Sequence, residues 1–299
     1  MSIILTGATG KLGSSVLEHL LKLVPANEII ASVYNTDHQQ LQDLGIQIRH
    51  GDYTQPETLL EAFKGAKKLL LVSLPSYDDE YRIRSQRAAI DAAKTAGVKH
   101  IYYTSLNYGN DPKVGVMNAH LATEEYLKAS GLTYTIIREG TYMDSFSVSL
   151  GFFSIHDKAV NVPSDGRIAF ADREELGEAT AKIVAGDDYK NQTVVLSGAR
   201  AYSLKETTEL ISKIIGRDIE FNVIPAEEWI KLHADKGGVT PWWSTSYPAI
   251  KRGDTAVLSP ALENLLERPS ADFETKLRVL LKGTGKSDSE MNRWLKREN

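Results

Sequence analysis

No cysteine occurs among the 299 residues, which excludes disulfides, thiolate metal ligands and a cysteine nucleophile. Any redox chemistry must therefore run on a bound cofactor. No apolar run approaches the ~20 residues needed to span a bilayer, and the N-terminus enters a strand-like run with no charged n-region or cleavage site. The expectation is a cytoplasmic protein without membrane contact. Charge of one sign is also lacking. The 35 basic and 39 acidic residues leave a formal charge of −4 and a pI of about 6.0, so no overall attraction to nucleic acid is expected. The seven histidines, at 19, 38, 50, 100, 120, 156 and 233, show no His-Glu-x-x-His or other close ligand spacing, and no metal site is expected. Asn191-Gln192-Thr193 matches a glycosylation sequon, which carries no weight without a secretory signal.

What is present is an ordinary globular composition, 42% apolar and 25% charged, in a chain about twice the length of a typical domain. Near its start, Ile3-Ile4-Leu5-Thr6-Gly7-Ala8-Thr9-Gly10-Lys11-Leu12-Gly13 runs an apolar strand into a Gly-x-x-Gly-x-x-Gly turn, followed by a helix-like stretch to Val24. Gly7 suits the tight turn, Gly10 lets backbone N–H groups approach a pyrophosphate, and Gly13 lets helix and strand pack closely. Phosphates would sit at the helix N-terminus, where free N–H groups and the dipole favour negative charge.

Strand-like runs follow at 28–34, 46–50, 68–73, 100–104 and 133–138, separated by amphipathic stretches near 39–44, 57–63, 80–96 and 118–129. Gly45, Gly65, Gly97 and Gly131 fall where helix C-caps are wanted. The pattern predicts an α/β fold: a Rossmann doubly wound parallel sheet with a smaller C-terminal α/β lobe. Residues 1–150 are expected to form the NAD(P)-binding Rossmann domain, its sheet completed by parts of 165–200, and 201–299 the substrate lobe. Helices are expected at 174–185 and 203–215 and strands at 193–197 and 218–224, with a loop-rich segment over 139–170.

Ligands of doubly wound sheets bind outside the carboxyl ends of the strands. That rule selects Thr9 to Gly13 for the pyrophosphate, Tyr34 and Asn35 for the adenosine ribose, Asp52 and Tyr53 beside the adenine, and Ser73, Leu74 and Pro75 along the ribose and pyrophosphate. Thr104 and Ser105 fall near the nicotinamide, and Arg138, Gly140 and Tyr142 are further cofactor-binding candidates. Asp52 reads equally well as a turn residue before Pro56. No acidic residue closes the second strand at Tyr34-Asn35, and Lys11 with His38 offers positive charge, so NADP(H) is favoured over NAD(H). Tyr142, Met143, Phe146, Phe152 and Phe153 would wall a flat aromatic substrate or simply form core.

Taken together, Thr6 to Gly13, Arg49-His50-Gly51-Asp52-Tyr53, Ala96 to Ile101, Tyr103-Thr104-Ser105, His120-Leu121-Ala122-Thr123-Glu124 and Tyr134 to Arg138 resemble the NmrA-like branch of the atypical short-chain dehydrogenase/reductases. Within it, the resemblance is nearest to bacterial NAD(P)H:quinone oxidoreductases and triphenylmethane dye reductases. It implies a nicotinamide cofactor and hydride transfer to a quinone, dye or related conjugated acceptor, a small aromatic substrate. The alternative is a non-catalytic, NADP(H)-sensing regulator on the same fold; monomer and homodimer both stay open. Ordinary members of the wider group use Tyr-x-x-x-Lys as a proton donor. Here Val116 and His120 hold those positions, as the resemblance implies for the lysine site, and Tyr247-Pro248-Ala249-Ile250-Lys251 is the one literal match, in the wrong lobe. His120, with an ordinary pKa near neutrality, is the candidate catalytic residue beside Ser105, either protonating or hydrogen-bonding the acceptor, or else positioning the cofactor. Two departures stand out: Tyr34 where the reductases carry Arg, and Glu139 where they often carry Asn.

Overall fold

The computed structural model describes residues 2–282; the last 17 residues of the expected lobe lie outside the described residues. In the first half, strands β1 (Ile3–Thr6), β2 (Ile29–Val33), β3 (Gln47–His50), β4 (Lys68–Leu71), β5 (His100–Leu106) and β6 (Thr133–Glu139) alternate with helices α1 (Lys11–Leu20), α2 (Gln39–Gln42), α3 (Pro56–Phe63), α4 (Asp79–Thr95) and α5 (Gly115–Ala129). The four punctuating glycines 45, 65, 97 and 131 take φ values of 68, 77, 81 and 79°, as C-caps require.

Next come β7 (Thr141–Tyr142), α6 (Phe146–Ser149), β8 (Ala159–Val162), β9 (Arg167–Ile168), β10 (Phe170–Ala171), α7 (Arg173–Ala185) and β11 (Gln192–Leu196). The remainder is β12 (Tyr202–Ser203), α8 (Leu204–Ile215), β13 (Glu220–Val223), α9 (Ala226–Leu232), α10 (Val239–Ser244), α11 (Ser246–Arg252), α12 (Ala261–Leu266) and α13 (Phe273–Lys282).

Seven parallel strands form the central sheet in the order β11-β6-β5-β4-β1-β2-β3. Every residue of β1, β2 and β4 is buried, whereas edge strand β3 is not, as expected of strands covered on both faces. One apolar cluster joins α1 and α7 to one face; another joins α3, α4 and α5 to the other. Helices α1 and α7 approach closely because position 177 is glycine: a Cβ there would lie 2.0 Å from Ser15 Oγ. The chain reverses winding between β1 and β4, the point where such sheets open a crevice.

A third cluster is the core of the lobe, built from Tyr108 and Met117 through Phe146, Val160 and Phe170 to Trp229, Tyr247 and Leu277. Parallel pairing of β8 with β13 and antiparallel pairing of β9 with β12 draw residues 159–168 into it. Met143, Phe146, Phe152 and Phe153 all lie in this core, and Phe152 stacks on Trp229 at 5.4 Å. These four are core residues of the lobe, and Phe153 also lines a cavity of about 300 Å³ with Leu150 and His233. No described helix is long and apolar enough to cross a membrane, and no group of three or more metal-ligating side chains forms among the described residues.

Candidate active site

The glycine turn has the shape a dinucleotide needs. Gly7 adopts φ +68°, and the Gly10 N–H donates to Gly7 O at 2.9 Å. At position 13 a Cβ would stand 2.1 Å from Gly7 O, so only glycine lets α1 start against β1; at position 10 a Cβ would meet nothing nearer than Gly7 O at 3.3 Å. Gly10 thus keeps an open approach to the N-terminus of α1, whose first turn carries no acidic residue. Thr9 is exposed, and Leu12 turns into the core. This cradle fits a pyrophosphate.

At the end of β2, Tyr34 is largely exposed and Asn35 closes a turn by accepting the Asp37 N–H at 3.0 Å. His38 lines a cleft of about 530 Å³ with Ala8, Thr9 and Leu41. The Lys11 ammonium reaches Asp144 Oδ2 at 3.1 Å, in the segment after β6. Asp52 is spent within its turn, accepting from Thr54 N, Thr54 Oγ1 and Gln55 Nε2 at 2.8, 2.8 and 3.3 Å. The turn reading is the one the structure supplies. Tyr53 is half-buried, its hydroxyl pushed up to about 12 by burial.

After β4, Ser73, Leu74 and Pro75 are held from beneath. Ser73 N–H donates to Thr104 Oγ1 at 3.0 Å, and Gln86 Oε1 accepts both Ser73 Oγ at 2.9 Å and Leu74 N–H at 3.2 Å.

The ends of β5 and β6 carry the densest polar chemistry. Alternate residues of β5 face the same way, and residues four apart share a helix face, so Tyr103 and Ser105 meet His120 and Glu124 of α5 in two rungs. Tyr103 Oη lies 3.0 Å from His120 Nδ1, and Ser105 Oγ donates to Glu124 Oε1 at 2.5 Å. Arg138 grips Glu124 with two bonds of 2.9 and 2.7 Å and Asn110 Oδ1 with a third of 2.8 Å. The pair is buried on the Glu124 side and partly buried at Arg138. Burial, with the charges of Arg82 and Arg138 nearby, pushes His120 well below its usual range. A neutral imidazole results at ordinary pH, which corrects the expectation that His120 sits near its titration point and acts as an acid.

On the opposite face of β6, Glu139 is fully buried. Tyr142 donates to its Oε2 at 2.5 Å, while Oε1 has no partner. Burial raises its carboxyl to about 7 against the opposing pull of Tyr142 and Arg173. The Arg173 guanidinium lies 3.7 Å over the Tyr142 ring and donates to Asp144 Oδ1 at 2.9 Å. Gly140 is buried, and a Cβ would stand 3.0 Å from Ala169 O and 3.2 Å from Leu196 O. Glycine is needed there for packing between strands.

Tyr103, Glu124, Gln86 and Arg173 are thus site residues that motif reading passed over. The first two were legible: the 103/105 and 120/124 spacings put each pair on one face.

The sequence and the fold match a known group. A model of the NmrA-like family covers residues 1–237. The chain belongs to the NmrA-like family. It is 36% identical over 246 residues to the NmrA-like family domain-containing oxidoreductase flvB of Aspergillus flavus, covering 80% of each chain. Among solved structures, the NADPH complex of the NADPH-dependent quinone oxidoreductase QOR2 of Escherichia coli superposes with a TM-score of 0.86 at 30% identity, over 93% of this chain and 99% of the other. The NADP(H) complex of Citrobacter triphenylmethane reductase gives 0.80 at 32% identity, over 92% and 98%.

Proposed function

We propose that this NmrA-like oxidoreductase uses NADPH to reduce a quinone, dye or similarly conjugated acceptor. The observation that carries the reading is the pairing, at the carboxyl end of one sheet, of an open glycine cradle with a polar row that lacks the Tyr-x-x-x-Lys proton-donor pair. The bound cofactor would supply hydride, and an acceptor that spreads the incoming electrons over a conjugated system does not need a strong acid at the moment of transfer.

The chain's own residues then have positioning tasks. Backbone N–H groups at the start of α1 would bind the pyrophosphate, with Tyr34, Asn35 and Tyr53 around the adenosine. The 73–75 loop, stiffened by Gln86 and Thr104, would hold the middle of the cofactor. His120 and Ser105, fixed by their rungs, would face the reacting end from the α5 side, and the Tyr142 ring, clamped by Arg173, from the other. The Arg138–Glu124 pair keeps the α5 side rigid without exposing charge to the acceptor. A cofactor-sensing regulator is not favoured by the relatives above, which are named as oxidoreductases and reductases.

Fluorescence titration of NADPH into the parent and Gly10→Val tests the cradle. Binding should fall at least about tenfold in a protein that still folds, with melting lowered modestly by the lost N-cap glycine and the 3.3 Å contact with Gly7 O. NADPH consumption with a panel of benzoquinones, naphthoquinones and triarylmethane dyes tests the activity; binding without turnover of any acceptor would sink the reductase reading.

A further inference from the structure

What His120 can contribute depends on which ring nitrogen carries the proton, and the surrounding hydrogen bonds decide that. The Tyr103 hydroxyl has three neighbours: His120 Nδ1 at 3.0 Å, Gln86 Oε1 at 3.3 Å and Ser73 Oγ at 3.4 Å. Gln86 Oε1 already accepts from Ser73 Oγ and Leu74 N. Its amide nitrogen donates to Thr123 Oγ1 at 2.8 Å, and Thr123 passes its own proton to Ala119 O at 2.7 Å. Ser73 Oγ gives its proton to Gln86 and also accepts from Arg82 at 3.3 Å. Ser73 Oγ keeps one lone pair but lies at 3.4 Å, so the shortest hydrogen bond open to the Tyr103 proton is the one to His120 Nδ1. Burial raises the Tyr103 hydroxyl above its ordinary range, so it keeps a proton to donate.

A nitrogen that accepts carries no hydrogen, so the imidazole proton belongs on Nε2. That atom has no hydrogen-bond partner among the described residues. A second proton is opposed from two sides. Arg82 of α4 is buried, its Nε and Nη1 make no hydrogen bond, and Arg138 closes from β6. The carboxylates in the neighbourhood are committed elsewhere: Glu124 to Arg138 and Ser105, and Asp79 to Arg82 at 3.6 Å and Asn118 at 3.0 Å.

We propose that Tyr103 is a positioning residue that holds His120 as the neutral Nε2–H tautomer, making His120 a fixed hydrogen-bond donor to the acceptor rather than an acid. The role toward an acceptor rests on the reductase reading above; the tautomer does not. In the step, the hydride that a bound reduced nicotinamide would give up, with its own C–H bond broken and its ring oxidised, forms a C–H bond on the acceptor, and the carbonyl π pair moves onto oxygen. Nε2–H stabilises that oxyanion while keeping its proton. Solvent water supplies the proton to that oxygen; a quinone's new C–H proton then passes through solvent to its second oxygen as the ring becomes aromatic, and a cationic dye needs no proton.

Nitrogen-15 NMR of the imidazoles in the full chain tests the tautomer without any turnover, with His120 assigned by the signals lost in His120→Gln. The expected result is a bare Nδ1 and a protonated Nε2, unchanged from about pH 8 to about pH 6, with Tyr103→Phe giving a mixture of tautomers. A proton on Nδ1, or titration within that range, overturns the proposal. Kinetics then read the role. Glutamine places an amide N–H close to where Nε2 lies, so His120→Gln should keep kcat/KM within about tenfold of the parent, while His120→Ala loses about 10²-fold or more. Equal losses in the two variants would mean that a neutral donor does not suffice. Tyr103→Phe should lower kcat with the KM for NADPH unchanged; a change confined to KM or to melting would make Tyr103 merely structural. The predicted tautomer in a protein that reduces no acceptor would overturn the reductase reading and leave the tautomer assignment standing.

Discussion

Residues 138 and 139 are neighbours on one strand and point to opposite faces of it, and the two faces treat buried charge differently. Toward α5, Arg138, Glu124, Ser105 and Asn110 complete one another's hydrogen bonds. Toward α1 and α7, Glu139 has one bond, from Tyr142, and one oxygen without a partner. The nearest cation, Arg173, is bonded to Asp144 and stacked on Tyr142. Burial is nearly equal on the two sides, so the difference lies in whether a counter-ion is within bonding distance. Where it is, charge can be stored in the core; where it is not, the carboxyl holds its proton until about pH 7.

The largest effect is expected on the paired side. Arg138→Met removes the cation and leaves Glu124 buried beside a hydroxyl alone, at a cost of about 3–5 kcal/mol. Thermal or denaturant unfolding measures it; a loss below about 1 kcal/mol would show that the pair is not a structural unit.

On the other side a substitution should stabilise. Folding raises the Glu139 pKa to about 7 from an ordinary 4.5, so its contribution is intact below 4.5 and is lost as pH rises through 7. Glu139→Gln keeps an acceptor for Tyr142 but cannot ionise. It should stabilise by about 1–3 kcal/mol at pH 8, with little effect near pH 5. Melting curves at the two pH values decide, and an equal shift at both would place the cause outside ionisation.

Tyr142→Phe, which removes the one bond Glu139 has, should be the mildest, about 1 kcal/mol. Measured by unfolding in the Glu139→Gln background, it should cost no more than in the parent. A larger cost there would mean that Tyr142 acts on something other than this carboxyl.

The fold was legible wherever local rules operate. Periodicity located the six strands of the first half to within about two residues, and the glycine turn and its helix follow from backbone sterics that span ten residues. Helix α7 and strand β11 were recoverable for the same reason. The two rungs of the site were half legible: His120 and Ser105 were picked out by position, but their partners Tyr103 and Glu124 were visible only as repeats of spacing. The Lys11 contact with Asp144 was out of reach of motif reading, because the two residues lie 133 apart in the chain. The apolar residues after β6 were ambiguous because side chains that suit a substrate wall also suit a core.

By itself, the sequence determined the alternation of strands and helices, the cradle at Gly7–Gly13, the exclusion of thiol chemistry that follows from having no cysteine, and the missing Tyr/Lys pair. These depend on composition and on steric constraints between residues close in the chain. Only the tertiary structure decided that Lys11 turns toward Asp144, that His120 is neutral with Tyr103 at its Nδ1, and that Glu139 lacks the counter-ion Glu124 has. Each of these rests on desolvation and on a partner brought near by the crossing of strands and helices, and both are set by distance in space rather than along the chain.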